Sequence, residues 1–381
     1  MPLIHEHSIK LNITLPRGDV HAKMETFYNP LMVSNRNLAI LLLNSIENTN
    51  LNIVDHLAGS GVRSLRFLKE LQPDKINHLF INDKNPRFKK VFKQHLTLNK
   101  ISKPLQKKIT LGNQEASLFL LNRINDNVKP SDFCGYADYI ELDPFGSPNP
   151  FLSAAIARIS RHGILAITAT DTAALTGTYP KVTQRKYWST PLKNYMMHEI
   201  GLRILIRKIQ LLGVQFDKAL TPLLSYHKDH YFRIYLQSEK GKEHCDDILK
   251  QHQYFLSCPN CLNFKTSLYN NETCICQTKF QYAGPLWIGK LHNQNLIQKI
   301  SENNTFPEEQ KFVSLLKEEA SQDSIGFYDL HEIARILKRN PHKMEDILKF
   351  PHITRTHFSP TGIKTNKSLA EIINLIKSLS S

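Results

Sequence analysis

From about residue 50, short apolar runs alternate with amphipathic stretches of helical period. This alternation is typical of βα repeats that build a mainly parallel sheet. The predicted strands span residues 51–57, 78–82, 108–111, 137–142 and 163–168. The predicted helices that follow them span residues 62–71, 87–99, 118–124, 151–159 and, after a longer loop, 192–212.

Two further strands are predicted at residues 218–224 and 231–237, where a short polar turn between them indicates a hairpin. Beyond residue 290 the pattern changes to short helices at 329–339, 343–350 and 369–379, with a β-turn-β segment at 355–364. A winged-helix-like module fits this order, although other small helical domains share the pattern.

The chain has 381 residues, a length typical of two or three domains. Hydrophobic residues make up 41% and charged residues 22%, which excludes extensively disordered and fibrous classes. We expect an α/β domain over residues 1–240 and a smaller C-terminal RNA-binding domain over 241–381. The pattern contains neither a secretion signal nor an apolar run of membrane-spanning length, so we expect a cytoplasmic protein with no membrane partner. No protein partner is implied.

The charge balance favours a polyanionic partner, with nucleic acid ahead of an anionic membrane surface. Lys and Arg number 49 against 34 Asp and Glu, a formal net charge of +15. Residues 181–240 hold 11 Lys and Arg against 4 Asp and Glu, a net charge of +7, and aromatic residues such as Trp188 are interleaved with them. This combination suits a single-stranded or distorted RNA, but a solvated helix face would have the same composition.

A glycine turn follows the first predicted strand, with Gly59 and Gly61 before a helix that contains Arg63. Glycine lets a backbone approach a ligand closely, and a helix N-terminus offers free N–H groups, so the turn indicates a nucleotide-type site or simply a tight βα turn. Asp83, after the second strand, is placed to bind ribose hydroxyls. The glycine turn and this acidic residue are also typical of NAD enzymes. Glu115, followed by Ala116, can accept a hydrogen bond from an adenine amine or be a solvated turn residue.

The segment Asp143-Pro144-Phe145 ends the fourth predicted strand, at the edge where open α/β sheets bind ligands. A carboxylate there can orient an exocyclic amine, a poor nucleophile because its lone pair is conjugated with the ring. Phe145 can stack on the base. Alone, the segment would also fit a proline turn with a capping Asp.

Four of the six cysteines crowd into 19 residues as two close pairs. Four thiolates are enough for a closed, structural zinc site, whereas the alternative is a metal-free loop of reduced cysteines. The second pair has the unusual Cys-x-Cys spacing. The predicted ligands are Cys258, Cys261, Cys274 and Cys276, and we expect Cys134 and Cys245 to be ordinary thiols.

Taken together, these motifs resemble the archaeal and eukaryotic tRNA guanine-26 N2,N2-dimethyltransferases. The resemblance extends over nearly the whole chain and rests on Phe27-Tyr28-Asn29-Pro30, Asn35-Arg36, Ala58-Gly59-Ser60-Gly61-Val62-Arg63, Asp143-Pro144-Phe145-Gly146 and Gly284-Pro285-Leu286-Trp287.

The resemblance implies a class I (Rossmann-like) methyltransferase fold, S-adenosylmethionine as cofactor and tRNA as substrate. Phe27 and Phe145 would hold the target base, with Asp143, Pro144 and Phe145 at the catalytic centre. The cofactor contacts that it implies are Arg36, Gly59, Gly61, Arg63, Asp83, Glu115 and Ala116.

Two positions depart from the family pattern, in which we expect Asp at 37 and at 115 instead of Asn37 and Glu115. The function that we predict is methylation of a guanine N2 amine in tRNA. Its competitors are an amino methyltransferase of other RNA or DNA and a non-catalytic zinc-containing RNA-binding protein. An NAD dehydrogenase fits the glycine turn, but it gives no role to Asp143.

Overall fold

The structure, a computed structural model, describes residues 3–13, 26–122, 135–322 and 324–379. Cys134 and the end of the helix predicted at 118–124 lie outside these ranges. Two compact units are present: one contains Met1–Ala169, Tyr235–Lys240 and Glu302–Glu309, and the other Thr170–Ile234, Gly241–Ser301 and Gln310–Ser381. Within the described ranges, no helix is long and apolar enough to cross a membrane.

The first unit alternates strands and helices, as the sequence predicts. Its strands are β1 Leu3–Glu6, β2 Ile9–Asn12, β3 Leu51–Asp55, β4 Ile76–Asn82, β5 Ile109–Gly112, β6 Ala137–Leu142 and β7 Ile159–Ala169. Its helices are α1 Val33–Ser45, preceded by a 3-10 turn at Pro30–Met32, then α2 Val62–Glu70, α3 Phe88–Leu98, α4 Lys103–Lys107, α5 Ala116–Asn122 and α6 Asn149–Arg158.

The central sheet has seven strands in the order β5-β4-β3-β6-β7-β9-β8, where β8 is Lys218–Lys228 and β9 is Tyr231–Lys240. The pairs β4–β5, β3–β4, β3–β6 and β6–β7 are parallel. Strands such as β3 and β6 are buried on both faces, which explains their continuous apolar sequences. The predicted α/β class and the hairpin of the last two strands are confirmed.

Most element boundaries differ from the prediction by a few residues, and two of the larger shifts have clear local reasons. Strand β7 begins at Ile159 rather than 163, because α6 runs directly into it and the exposed Arg161 and His162 belong to the strand. Helix α9 begins at Met197 rather than 192, because Asn194 closes a turn by accepting the Met196 N–H at 2.9 Å.

The second unit contains the short helices and two small antiparallel sheets. Its helices are α7 Thr172–Leu175, α8 Pro180–Tyr187, α9 Met197–Val214, α10 Lys242–Lys250, α11 Gln294–Glu302, α12 Gln310–Ala320, α13 Leu330–Leu337, α14 Met344–Ile347 and α15 Leu369–Ser378. Its additional strands are β10 His252–Ser257, β11 Phe264–Ser267, β12 Gln281–Trp287, β13 Tyr328–Asp329, β14 Thr354–Thr356 and β15 Ser359–Lys364.

The sequence does not predict the sheet β11-β10-β12. The buried Phe255 and Leu256 of β10 lie among polar residues, so they form no apolar run that indicates a strand. The three predicted C-terminal helices are present, although α14 is one short turn. The predicted β-turn-β segment is the β14–β15 pair, and β13 completes a sheet in the order β13-β15-β14. Ile333, Ile347 and Ile372 bring the three helices into one apolar core.

A buried ionic network fixes the N-terminal hairpin of the first unit. The Glu6 carboxylate accepts hydrogen bonds from Arg36 Nε at 2.7 Å, from Arg66 Nη1 at 3.1 Å and from the Tyr28 hydroxyl at 2.8 Å. Burial alone would raise the pKa of Glu6, but the charges of Arg36 and Arg66 outweigh it and lower that pKa. The two guanidiniums therefore hold Glu6 ionised in the interior.

A second polar contact binds residues 302–309 to α1 within the same unit. The Asn37 amide is fully buried, and its Nδ2 donates to Glu308 Oε1 and to Glu309 Oε1, both at 3.0 Å. Ser34 Oγ donates to Glu309 Oε2 at 2.7 Å. An Asp at position 37, as expected from the family pattern, would repel the carboxylates of Glu308 and Glu309. The Asn37 amide instead donates hydrogen bonds to both of them.

We predict that Asn37→Asp destabilises the protein by more than about 2 kcal/mol, because it adds an unpaired buried charge beside two others. The free energy of unfolding from denaturant titration measures this loss. The loss should shrink at acidic pH, as the new carboxyl protonates. Adding Glu309→Gln should restore part of the stability, and equal stability of Asn37→Asp and the wild type would refute the role given to Asn37.

Candidate active site

A cavity of about 670 Å³ lies at the carboxyl ends of β3, β4, β5 and β6 in the first unit. Parallel strands bring the loops after their carboxyl ends to one edge of the sheet, the usual ligand-binding edge of this architecture. Its lining includes predicted site residues from every one of these loops and also Phe27, which precedes α1. The loop residues are Gly59, Asp83, Glu115, Ala116, Asp143, Pro144 and Phe145.

The glycine turn between β3 and α2 takes the conformation that its sequence predicts. Gly59 and Gly61 have φ of +56° and +75°, a region that favours glycine. A Cβ on Gly61 would lie 2.2 Å from Phe92 Cδ2, and one on Gly59 would lie 3.0 Å from the Phe27 carbonyl oxygen. Gly61 thus makes room for α3, whereas Gly59 lies on the cavity wall.

Asp83 follows β4 and is oriented by two backbone groups. Its Oδ2 accepts from the Gly59 N–H at 2.8 Å, and its Oδ1 accepts from the Asn85 N–H at 2.9 Å. The carboxylate therefore has a fixed direction at the cavity edge and retains lone pairs for further donors.

Asn82, which the sequence analysis missed, joins the three loops around Asp83. Its Nδ2 donates to the carbonyls of His56 at 3.1 Å and Gln114 at 3.0 Å, and its Oδ1 accepts from the Gln114 N–H at 2.9 Å. The sequence holds no signal for this role, because the full burial of the Asn82 amide, which requires such partners, is visible only in the folded chain.

Glu115 and Ala116 stand where β5 passes into α5. Glu115 is exposed, and its Oε2 caps the helix by accepting from the Leu118 N–H at 2.9 Å. Ala116 is the buried first residue of α5, so its backbone lies at the free end of a helix.

Asp143 follows β6 and is held by Arg63 from α2. Arg63 Nη2 donates to Asp143 Oδ2 at 2.5 Å and to Asn35 Oδ1 at 2.9 Å, and it lies 3.6 Å from Glu141 Oε1. Asn35, in turn, donates to Thr168 Oγ1 at 3.2 Å. The Asp143 side chain remains 22% exposed, so it is anchored on one side and accessible on the other.

The aromatic residues of the cavity form two pairs. Phe27 and Phe145 meet edge to face with centroids 4.4 Å apart, and Phe145 is 47% exposed. His56, which also lines the cavity, contacts Phe151 edge to face at 6.4 Å. Burial lowers the pKa of His56 to about 4, so its imidazole is neutral at physiological pH.

Three predicted cofactor contacts lie outside the cavity lining: Arg36, Gly61 and Arg63. Arg36 is buried, with its Nε and Nη2 on Glu6 and a third hydrogen bond from Nη2 to the Asn29 carbonyl at 3.0 Å. In this structure Arg36 therefore organises the segment before α1, and Arg63 organises Asp143.

The four clustered cysteines converge in the second unit. Their Sγ atoms all lie within 4.8 Å of one another, with 3.5 Å between Cys258 and Cys276 and between Cys261 and Cys274. Asn263 Nδ2 lies 3.4 Å from the Cys261 sulfur as a donor. Cys245, predicted to be an ordinary thiol, lies apart on α10 and is buried.

Helix α8 and the residues after it form a basic surface on the second unit. Lys181 and Arg185 are exposed, and Trp188, at the end of the helix, is 48% exposed with φ of +54°. The Lys208 ammonium lies 2.8 Å from the Trp188 ring centroid, and Arg207 Nη1 donates to the Trp188 carbonyl at 3.1 Å. Lys208 thus contacts the ring and Arg207 holds the backbone of an aromatic residue that is about half exposed.

Comparison with known proteins identifies relatives along the full chain. The family model described as N2,N2-dimethylguanosine tRNA methyltransferase matches residues 5–377. The tRNA (guanine(26)-N(2)/guanine(27)-N(2))-dimethyltransferase of Aquifex aeolicus is 35% identical, covering 100% of this chain and 96% of that protein. The tRNA (guanine(26)-N(2))-dimethyltransferase of Pyrococcus furiosus is 32% identical, covering 99% of both.

A solved structure is similar throughout as well. It is the complex of Trm1 from Pyrococcus horikoshii with S-adenosyl-L-methionine, which has a TM-score of 0.81 and 30% identity. The match covers 98% of this chain and 99% of that one.

Proposed function

The chain belongs to the N2,N2-dimethylguanosine tRNA methyltransferase family and methylates a guanine N2 amine of tRNA with S-adenosylmethionine, and we propose that the cavity beside Asp143 is the catalytic site. One observation carries this proposal. Asp143 directly follows the parallel strand β6 at the cavity rim, where Arg63 holds it on one side and the other side is open.

The cavity fits the cofactor in size and in the chemistry of its lining. The Gly59 backbone can approach a ligand at the place where a side chain would obstruct it. Asp83 would accept hydrogen bonds from the ribose hydroxyls, and Glu115 and the Ala116 backbone would contact the adenine. S-adenosylmethionine, when bound, supplies an electrophilic methyl group on its sulfonium sulfur.

Asp143 and the Pro144 carbonyl would act on the guanine amine. Each can accept a hydrogen bond from an N2–H, which turns the nitrogen lone pair toward the methyl group. As the N–C bond forms and the methyl group leaves the sulfonium sulfur as a neutral thioether, positive charge develops on N2. The Asp143 carboxylate would stabilise this charge and accept the proton that N2 then gives up. Arg63 fixes the carboxylate direction in advance, so no reorganisation is needed during the reaction.

Phe27 and Phe145 would bind the guanine ring. A guanine within folded tRNA must leave its stack before the amine can reach Asp143, at a cost of a few kcal/mol. The exposed face of Phe145 can recover part of this cost, since base–aromatic stacking is worth roughly 1–3 kcal/mol.

Asp143→Asn separates this role from cofactor binding. The amide can still accept from Arg63, but it carries no charge for the developing cation, so turnover should fall by about a hundredfold or more. The dissociation constant for S-adenosylmethionine, measured by calorimetry, should change by less than about threefold.

The matched variant is Asp83→Ala, which should do the reverse and weaken cofactor binding by about 1.5–3 kcal/mol per lost charged hydrogen bond. Labelled methyl transfer to tRNA measures turnover. Near-normal turnover of Asp143→Asn would exclude Asp143 from the chemistry, whatever the cofactor affinity.

The four cysteines would hold a structural zinc ion. Regular tetrahedral coordination at a Zn–S distance of 2.3 Å separates the sulfurs by about 3.8 Å, close to the two 3.5 Å pairs seen here. The Asn263 amide beside Cys261 would donate to a thiolate, which favours the deprotonated ligand. Four thiolates leave no position for a water, so the ion would stabilise the fold rather than catalyse.

We predict one zinc ion per chain, measurable by elemental analysis. Cys258→Ser with Cys261→Ser should remove it and lower the thermal midpoint, because metal binding energy is folding energy here. Cys245→Ser, outside the cluster, is the control and should keep the zinc. Less than about half an equivalent of zinc in metal-replete protein would refute the site.

The basic surface around Trp188 and the C-terminal residues 241–381 would bind the tRNA body. A positive surface attracts phosphates, and a rigid, half-exposed indole offers a face on which a base can stack. The order α12, β13, α13, α14, β14, β15 supports a winged-helix-like shape for the last of these residues.

Trp188→Ala should weaken tRNA binding by roughly 1–3 kcal/mol through the loss of one stacked base, whereas Trp188→Phe should retain most of the affinity. Filter binding at fixed salt measures both. Tyr136→Ala removes an equally exposed aromatic from the first unit and should bind tRNA normally. Equal affinity of Trp188→Ala and the wild type would show that this surface does not contact the RNA.

A further inference from the structure

A dense run of positive charge follows Asp83 in the first unit. Residues 84–114 contain nine Lys and Arg and no Asp or Glu, whereas residues 181–240 need 60 positions to reach a net charge of +7. Six exposed lysines on or beside α3 and α4 are here named the α3–α4 surface. They are Lys89, Lys90, Lys93, Lys100, Lys103 and Lys107.

Helix α3 separates its apolar residues from its lysines. The aromatic rings of Phe88 and Phe92 are buried on the side that faces the sheet. Lys89, Lys90 and Lys93 lie on the other side, within about 100° of one another around the helix axis. The burial of one side therefore holds the three ammonium groups in a row that faces solvent.

Two cations before α3 connect this surface with the proposed catalytic cavity. Lys84 lines the cavity next to Asp83, and Arg87 directly precedes α3. Asn113 Nδ2 fixes the segment between them by donating to the carbonyls of Asp83 and Asn85, both at 2.7 Å. From there α3 runs for 11 residues, about 16 Å, toward the opposite edge of the sheet. The positive charge thus begins at the cavity rim and extends away from it.

Helix stability does not explain this arrangement of charge. Arg87, Lys89 and Lys90 lie at the N-terminus of α3, whose partial positive charge they oppose, and the first turn holds no acidic residue. Lys89 and Lys93 are four residues apart, and α4 repeats this spacing with a lysine at each end. Like charges at this spacing repel each other on one helix face. Without an anionic partner, the lysines therefore destabilise both helices.

Other exposed helices of this chain pair their lysines with carboxylates one turn away. Lys250 Nζ lies 2.8 Å from Asp247 Oδ1 in α10, and Lys349 Nζ lies 2.7 Å from Asp346 Oδ1 at the end of α14. Among the residues that the structure describes, the lysines of α3 and α4 form no such ion pair. Their charge is left to be balanced by solvent ions or by a partner.

We propose that the α3–α4 surface binds the phosphate backbone of tRNA next to the guanosine that is methylated. A row of phosphates supplies the negative charge that the protein lacks here, and its binding releases counterions. Because the row of cations starts at the cavity rim, it can hold the strand that flanks an extruded nucleotide. An acidic protein would match the charge as well, but the position beside this cavity favours the RNA. The inference rests on the proposed function, since it takes the Asp143 cavity as the place of methylation.

Lys89→Ala combined with Lys93→Ala tests the surface in the full-length protein. Both residues lie outside the cavity lining. Alanine is the best helix former and the repulsion between the two lysines disappears, so the thermal midpoint should equal or exceed that of the wild type. The matched control is Lys69→Ala with Arg161→Ala, which removes two exposed cations from the last turn of α2 and the amino end of β7.

The first measurement is the affinity for tRNA as a function of salt concentration. Loss of two phosphate contacts should reduce the slope of log K against log salt by about 2 and weaken binding by roughly tenfold or more at low salt. The control variant should keep the wild-type slope. Equal slopes for the α3 variant and the wild type would overturn the proposal, since the lysines would then be a solvated helix face.

The second measurement locates the contact and separates it from the chemistry. Ethylation of tRNA phosphates next to the target guanosine should interfere with binding by the wild type but not by the α3 variant. Labelled methyl transfer should show a KM for tRNA raised about tenfold with the wild-type kcat, because uniform binding is lost while Asp143 is unchanged. An unchanged KM would refute this inference alone. Near-normal turnover of Asp143→Asn with a reduced salt slope of the α3 variant would refute the catalytic assignment and support this surface.

Discussion

The hydrogen bond from Arg63 to Asp143 is the interaction on which the arrangement of the first unit depends. A buried guanidinium needs anionic or polar partners, and Arg63 finds them on α1 and after β6. The glycine turn sets where α2 begins, and Arg63 is its second residue, so the turn and the carboxylate are fixed together. Asn35 extends this connection to β7 through Thr168.

The same contact explains how a carboxylate can be both rigid and accessible. Burial raises the pKa of neighbouring Asp55 to about 7, whereas its hydrogen bond from Ser64 and the charge of Arg63 oppose that rise. A carboxyl that stays partly protonated adds little negative charge beside Asp143. The cationic charge of Arg63 therefore acts mainly on Asp143 at the cavity rim and on the buried Glu141, whose Oε1 lies 3.6 Å from Arg63 Nη2.

Features encoded by neighbouring residues could be predicted from the sequence. Apolar runs predict the strands at 137–142 and 218–224. The spacing of its glycines predicts the turn before α2, and the positions of Asp83 and Asp143 directly after strands predict that both lie at the binding edge of the sheet. The cysteine cluster could be predicted because its four residues occur as two close pairs in the sequence. Each of these features depends on residues a few positions apart, or on the rule that the carboxyl ends of parallel strands lie at one edge of the sheet, so the sequence alone predicts it.

Contacts between distant positions could not be predicted. Arg36 was assigned to the cofactor by resemblance, yet its strongest partner is Glu6, 30 positions away. The partner of Asn37 lies 271 positions along the chain. Asn82 has no local sequence pattern that identifies it, since only the folded chain shows that it is buried. Long-range polar partners are chosen by packing, which a single sequence does not display.

The division of the chain has a consequence for how the protein can be cut into fragments. The predicted boundary at 240/241 is one of five places where the chain passes from one unit to the other, and residues 302–309 return to the first unit to reach α1. No single continuous gene fragment encodes either unit. No single cut in the chain can therefore separate either unit intact from the other.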